Sequence, residues 1–332
     1  MSYSHQHFHS FPEEKQTMAT IRNLALSLLP VTETAARAAS AWIGRGEKEL
    51  GDGAAVDAMR AAIAQVPMRG TVVIGEGEKD EAPMLYNGEA VGSGTGPEVD
   101  IAVDPVEGTS FLASGMPGSI CVLAAAPKGS MFRPGPAFYM DKLVVPAAAR
   151  GKIDPAAPMK DRLHDLARAL GKDVRELRIF VLKKPRHEAM IREIQAAGAT
   201  VRLQTDGDVS GGIMAALGVK VDAMMGIGGT PEGVITACAA RAMGADMFGA
   251  LAPQNPGEAG AVEAAGLRAG HWLERDELVA SDDVLFVATG LTSGDILDGV
   301  SRSRYFVESE SLVISGHDGI LRRVRTHQRA DD

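Results

Sequence analysis

Aromatic residues are scarce: phenylalanine, tryptophan and tyrosine together make up 5% of the 332 residues. With 45% hydrophobic residues, the core must be built from aliphatic side chains and close alanine and glycine contacts. Cysteine is nearly missing. Cys121 and Cys238 stand apart, with no spacing for a disulfide framework or a zinc knuckle. Two isolated thiols fit a reducing compartment, so a cytoplasmic location is expected. No apolar run reaches the ~20 residues needed to span a bilayer. The stretch Leu24-Ala25-Leu26-Ser27-Leu28-Leu29 does not read as a signal peptide, because Glu13 and Glu14 occupy the place of its basic region. Ile21, Leu24, Ala25, Leu28 and Leu29 instead form the stripe of an amphipathic helix. Positive charge is also in the minority. A formal net charge of −9 argues against a general nucleic-acid surface and against an anionic membrane surface. The expected partner is a small molecule, with no nucleic acid and no membrane. Residues 1–19, with His5, His7 and His9, are expected to be a disordered leader, and residues 328–332 a tail.

What is present alternates between strand and helix patterns. Residues 20–45 predict one or two helices, and residues 54–65 another, with Asp52 of Gly51-Asp52-Gly53 as its N-cap. Residues 71–74 predict a strand running into Gly75-Glu76-Gly77-Glu78-Lys79-Asp80-Glu81. From residue 177 onward the order is strand, loop, helix, repeated, and residues 312–315 and 320–325 close the chain as an antiparallel pair. This predicts an α/β protein with largely parallel or mixed sheets covered by helices. A break near residues 155–158 divides the chain into parts of 20–155 and 156–327.

The central motif is Asp104-Pro105-Val106-Glu107-Gly108-Thr109. It follows a short apolar strand, 101–103, which Pro105 is expected to end. Asp104, Glu107 and Thr109 then gather at a strand's carboxyl end, where open α/β sheets place ligands. Two hard oxygen ligands and a hydroxyl suit Mg²⁺ or Mn²⁺ and a water; the plain alternative is an acidic turn with Thr109 as a helix cap. Other loops carry Asp52, Glu76, Asp80 and Glu232. Such carboxylates repel one another unless cations neutralise them, so two or more divalent ions are expected if they meet. Another set suits phosphate and sugar. Lys184-Pro185-Arg186-His187 places cations at a strand end, with His187 on the surface at a helix start. The glycine-rich turn 226–233 is neither a dinucleotide fingerprint nor a P-loop, but it opens a helix whose N1 position suits Pro231. Glu232 would lie in that helix's first turn, where the dipole alone favours it. Asp206-Gly207-Asp208 could cap a helix, bind metal or accept sugar hydroxyls. Tyr139 could be core or could offer a hydroxyl to a ligand.

Together these segments resemble the class II fructose-1,6-bisphosphatases, within the lithium-sensitive, metal-dependent sugar-phosphatase superfamily. The matching pieces are Gly51-Asp52-Gly53, the acidic loop after Ile74, the segment ending in Thr109, Lys184-Pro185-Arg186-His187, Asp206-Gly207-Asp208 and 226–233, in the family's order over residues 20–325. The resemblance implies a layered α/β/α/β/α fold with a metal-binding first half and a sugar- and phosphate-binding second half. It implies hydrolysis of the 1-phosphate of fructose 1,6-bisphosphate by in-line attack of a metal-activated water, in gluconeogenesis or the Calvin cycle. Carried over by motif, Asp52 and Glu76 would hold one metal, and Asp104, Glu107 and Glu232 a second. Asp80 and Thr109 would be catalytic. Glu107, Gly108, Thr109, Tyr139, Lys184, Pro185, Arg186, Asp206, Gly207, Asp208 and Gly229 would bind substrate. A homodimer or tetramer is expected on the same ground. Ser110 stands where the family has arginine, and Thr230 where it has a small alanine. Two alternatives stay open: a dual or preferential sedoheptulose-1,7-bisphosphatase, and a non-catalytic module binding a sugar phosphate or nucleotide.

Overall fold

The computed structural model describes residues 21–77 and 84–330. The histidines of the leader, Asp80 and the acids beside it lie outside the described residues. The first sheet begins with β1 (Arg69–Ile74), β2 (Ala90–Val91), β3 (Glu98–Glu107) and β4 (Ile120–Pro127). The second sheet takes β5 (Tyr139–Val145), β6 (Arg178–Leu182), β7 (Thr200–Gln204), β8 (Ala223–Gly229), β9 (Asp246–Leu251) and β10 (Trp272–Glu274). The chain then returns to the first with β11 (Leu285–Gly290), β12 (Ser301–Arg302), β13 (Phe306–Ser315) and β14 (Ile320–Arg329). Strand orders are β12-β13-β11-β4-β3-β1-β2, with β14 on β13, and β10-β9-β5-β8-β6-β7. Pairs β1/β3, β6/β7 and β6/β8 are parallel and the others antiparallel, so both sheets are mixed. Strands from both sides of residue 155 enter the first sheet and the second.

The helices are α1 (Ala25–Ala39), α2 (Lys48–Ile63), α3 (Thr109–Ser114), α4 (Met159–Leu170), α5 (Glu188–Ala196), α6 (Asp208–Leu217), α7 (Thr230–Ala242), α8 (Pro256–Ala264) and α9 (Arg275–Leu278). Three apolar cores stack the layers. One lies between α1/α2 and the first sheet, one around α6 and α7 between the sheets, and one between the second sheet and α4/α5. Strand periodicity makes this possible. In β4, Cys121, Leu123 and Ala125 face the outer core, while Ile120, Val122, Ala124 and Ala126 face the central one. The result is the expected α/β/α/β/α stack. Small side chains are prominent in the central core: Ala215 and Ala216 of α6, and Ala237, Cys238, Ala239 and Ala240 of α7, are all buried there, which answers the shortage of aromatics. No helix among the described residues is long and apolar enough to cross a membrane.

Three local expectations are corrected. Asp52 is not an N-cap: α2 starts at Lys48 and carries Asp52 in its second turn. Gly51 is there for packing, since a Cβ would come within 2.6 Å of Leu112 Cδ2. Pro105 does not end β3, which continues to Glu107. Its missing N–H falls where the β3/β4 register shifts between Asp104 and Glu107, so no ladder bond is lost. The glycine-rich run is strand rather than turn as far as Gly229, and α7 starts at Thr230 with Pro231 just inside it.

Candidate active site

The two central helices bring their amino ends to the carboxyl end of β3, and a cavity of about 440 Å³ opens there. Its walls include Asp52 of α2, Glu76 beyond β1, Asp104 and Glu107 at the end of β3, Gly108, Thr109, Asp206, and Glu232 in the first turn of α7. Asp104 turns back to accept from the Val106 amide at 3.0 Å. Glu107 is 4% exposed and accepts from the Val209 amide at 2.7 Å, which ties it to the start of α6. Gly108 has φ +79°, a conformation suited to glycine, and this sharp bend starts α3 at Thr109. Across the cavity mouth the Ser110 hydroxyl donates to Asp206.

One carboxylate oxygen each from Asp104, Glu107 and Glu232 lies within 4.8 Å of the others. Burial is the main cause of their perturbed titration. Glu107 is pushed up to about 8, first by burial and then by Glu232, Asp208 and Asp206. Glu76 is pushed up to about 7 by burial and by Asp52. Asp104 is raised well above the carboxylate range by burial and then by Glu107, Glu232, Glu76 and Asp52. Asp52 and Glu232 are also raised, mainly by burial. One oxygen of Glu232, Oε2, is buried with no hydrogen-bond partner among the described residues. An all-oxygen donor set with an orphaned buried acceptor fits a hard divalent cation.

The glycines of β8 also belong to this geometry. A Cβ at Gly229 would lie 1.8 Å from Glu232 Oε2, and one at Gly228 would lie 2.0 Å from Asp208 Oδ2. The strand is bare because carboxylates pack against it. The family model for bacterial fructose-1,6-bisphosphatase, glpX-encoded, matches residues 22–328. The fructose-1,6-bisphosphatase 1 class 2 of Escherichia coli K12 is 44% identical over 319 residues, covering 92% of this chain and 95% of that protein. The fructose-1,6-bisphosphatase class 2 of Shigella flexneri matches with the same identity and coverage.

This chain belongs to the class II fructose-1,6-bisphosphatase family.

Against the residues that the class II family pattern implies, the cavity unites Asp52, Glu76, Asp104, Glu107, Gly108, Thr109, Asp206 and Glu232. Tyr139, Lys184, Pro185, Arg186, Gly207, Asp208 and Gly229 are not on its wall. Some of these form a neighbouring group on the second sheet. Tyr139 pairs with Gly229 across β5 and β8, and the Arg186 guanidinium lies 5.2 Å from the Tyr139 ring centroid. Arg186 Nε and Nη2 donate to the Ile227 carbonyl at 3.1 and 2.8 Å. Pro185 opens the single helical turn that carries Arg186, and the Lys184 amide donates to Leu182 O. Asp208 is buried in an ion pair with Lys142. His187 is corrected from surface to core: it is 1% exposed, its Nδ1 bonds the Leu182 carbonyl at 2.7 Å, and its Nε2 accepts from the Ile227 amide at 2.8 Å. Gly226, at φ +127°, makes room for that ring.

Lys48, Glu49 and Lys142 escaped the sequence reading. Lys48 and Glu49 line the cavity one turn before Asp52, and were hidden by placing the helix start after Asp52. Lys142 had a visible signal: it shares the inward face of β5 with Met140 and Val144, where apolar residues belong.

Proposed function

We propose that the chain hydrolyses the 1-phosphate of fructose 1,6-bisphosphate, giving fructose 6-phosphate and inorganic phosphate. The observation that carries this reading is the convergence of Asp104, Glu107 and Glu232 beside Gly108 and Thr109 in one cavity. Asp52 and Glu76 are assigned to one divalent ion, and Asp104, Glu107 and Glu232 to a second; Mg²⁺ and Mn²⁺ both suit these oxygen donors. When bound, such ions neutralise the carboxylates, polarise the phosphoryl group and ease deprotonation of water. The Thr109 hydroxyl orients the attacking water in line with the leaving sugar oxygen, and Asp80 supports its activation. Attack forms a new P–O bond, breaks the bond from phosphorus to the sugar oxygen, and leaves that oxygen protonated. Glu107, Gly108 and Thr109 contact the scissile phosphate. Tyr139, Lys184, Pro185, Arg186, Asp206, Gly207, Asp208 and Gly229 hold the sugar and its distal phosphate, with Arg186 as the bidentate group. We assign the enzyme to the cytoplasm and to a homo-oligomer on family grounds.

Phosphate release from fructose 1,6-bisphosphate tests the reading, with Mg²⁺, Mn²⁺ or EDTA, in wild type and Asp104→Asn. Release that needs the metal and is lost in the variant is the expected result. Metal-independent release, or normal turnover by Asp104→Asn, would defeat the metal assignment. Release only from sedoheptulose 1,7-bisphosphate would replace the substrate.

A further inference from the structure

We propose that Lys142 is a positioning residue for the metal site, an internal ammonium that sets the places of Glu107 and Glu232 from behind. The inference rests on the metal-site reading above. Lys142 lies in the middle of β5, paired with Gly226 of β8 on one side and Gly249 of β9 on the other. It is 1% exposed and points into the core between the sheets. An ammonium in such a place is costly unless it is paired and its donors are used. Its partner is Asp208, the first residue of α6. The next amide in that helix, Val209 N–H, is the donor to Glu107 at 2.7 Å. The lysine therefore anchors the turn that holds Glu107.

The same side chain reaches the other helix. A Cβ at Gly233 would lie 3.2 Å from Lys142 Cε, so the lysine stem runs against the first turn of α7, directly after Glu232. Asp208 Oδ1 and Glu232 Oε2 are both buried without hydrogen-bond partners among the described residues. An ammonium carries three N–H donors, and one is given to Asp208 Oδ2. An apolar side chain could fill this glycine-lined slot, but it could hold neither carboxylate.

Calorimetric titration with Mn²⁺ alone, and with Mg²⁺ alone, tests this on wild type, Lys142→Met, Lys142→Arg, Lys142→Met/Asp208→Asn and Glu232→Gln, beside kcat, KM and Tm. Folded Lys142→Met is expected to raise the metal Kd about tenfold or more, in the range seen when groups that orient metal ligands are removed. Its kcat falls while KM for the sugar bisphosphate stays within about twofold, and Lys142→Arg recovers part of the metal affinity. If Lys142→Met does not fold, the double variant, which removes both charges together, is read in its place for the metal Kd alone, with the same rise expected, because Asp208 is itself assigned to the sugar. Wild-type metal affinity in the folded single or double variant overturns the proposal. So does a raised KM at unchanged kcat and metal affinity, which would make Lys142 a substrate group. If wild type binds neither ion, or Glu232→Gln binds them as wild type does, the metal-site reading itself fails, and that failure is recognised without any Lys142 variant.

Discussion

Glu107 gives one carboxylate oxygen to the Val209 amide and shares its neighbourhood with Asp104 and Glu232. Glu107→Gln keeps the acceptor and the shape but removes the charge. Losing a group that only orients a ligand costs about 10–100-fold in metal affinity, so removing a ligand's charge should cost at least about that. Metal titration of the folded variant checks it, and a Kd within about threefold of wild type would remove Glu107 from the ligand set. Protons compete for the same oxygens. With Glu107 near 8 and Glu76 near 7, both raised chiefly by burial, the metal-free site holds protons at neutral pH. Metal must displace them. Apparent affinity should therefore rise from about pH 6 to about pH 8.5, with proton release on binding at pH 7. Calorimetry in two buffers of different ionisation enthalpy reads that release directly; no uptake or release would contradict it. Arg186 belongs to a different kind of interaction. Its fork lies on the Ile227 carbonyl and its plane over Tyr139. Arg186→Ala should raise KM about tenfold with kcat nearly kept, and Arg186→Lys should recover little, because a point charge cannot reproduce the fork.

The element that concentrates these constraints is α2, where Gly51-Asp52-Gly53 is helical throughout. The two glycines are not equivalent. A Cβ at Gly51 would strike Leu112, whereas one at Gly53 would meet nothing within 4 Å among the described residues. Gly53→Ala should stabilise the protein by about 0.5–1 kcal/mol through helix propensity, while Gly51→Ala should destabilise it by about 1–3 kcal/mol through overpacking. Denaturant unfolding of the pair checks both signs. The contrast also shows what sequence could and could not disclose. Glycine beside aspartate reads as a turn, because backbone freedom is the common reason for glycine; here the reason is a leucine on α3, which is a tertiary fact. The same holds at β8, where Gly228 and Gly229 exist to admit Asp208 and Glu232. Apolar patterning, by contrast, is local, and it disclosed the strand around residues 71–74, the strand–loop–helix order from residue 177 and the α/β class, while the layered stack was implied by the family resemblance. The acidic cluster was legible because carboxylates at strand ends are conspicuous. Lys142 was legible only as a lysine at an apolar strand position; its meaning depends on Asp208, 66 residues away.

At the scale of the whole molecule, a fold that buries this many carboxylates trades stability against function, and the trade depends on pH. An unfolded glutamate titrates near its ordinary 4.5, whereas folded Glu107 titrates near 8. Between those values the metal-free folded state holds a proton that the unfolded state has lost. Stability from this group is therefore fully present below about pH 4.5 and is lost as pH rises through about 8. The amide that Glu107→Gln introduces cannot ionise and would not incur that loss. Metal-free Glu107→Gln should thus match wild type near pH 5 and exceed it in stability at about pH 8.5. Saturating metal should narrow that gap, because an ion that binds only the folded state adds about 2.7 kcal/mol at about 100 times its Kd, and the variant binds it weakly. Thermal unfolding at those two pH values, with EDTA and with Mn²⁺, gives the four comparisons. A variant less stable than wild type at the higher pH in EDTA would mean that Glu107 is held charged by the protein alone, and that the cluster is balanced without an ion.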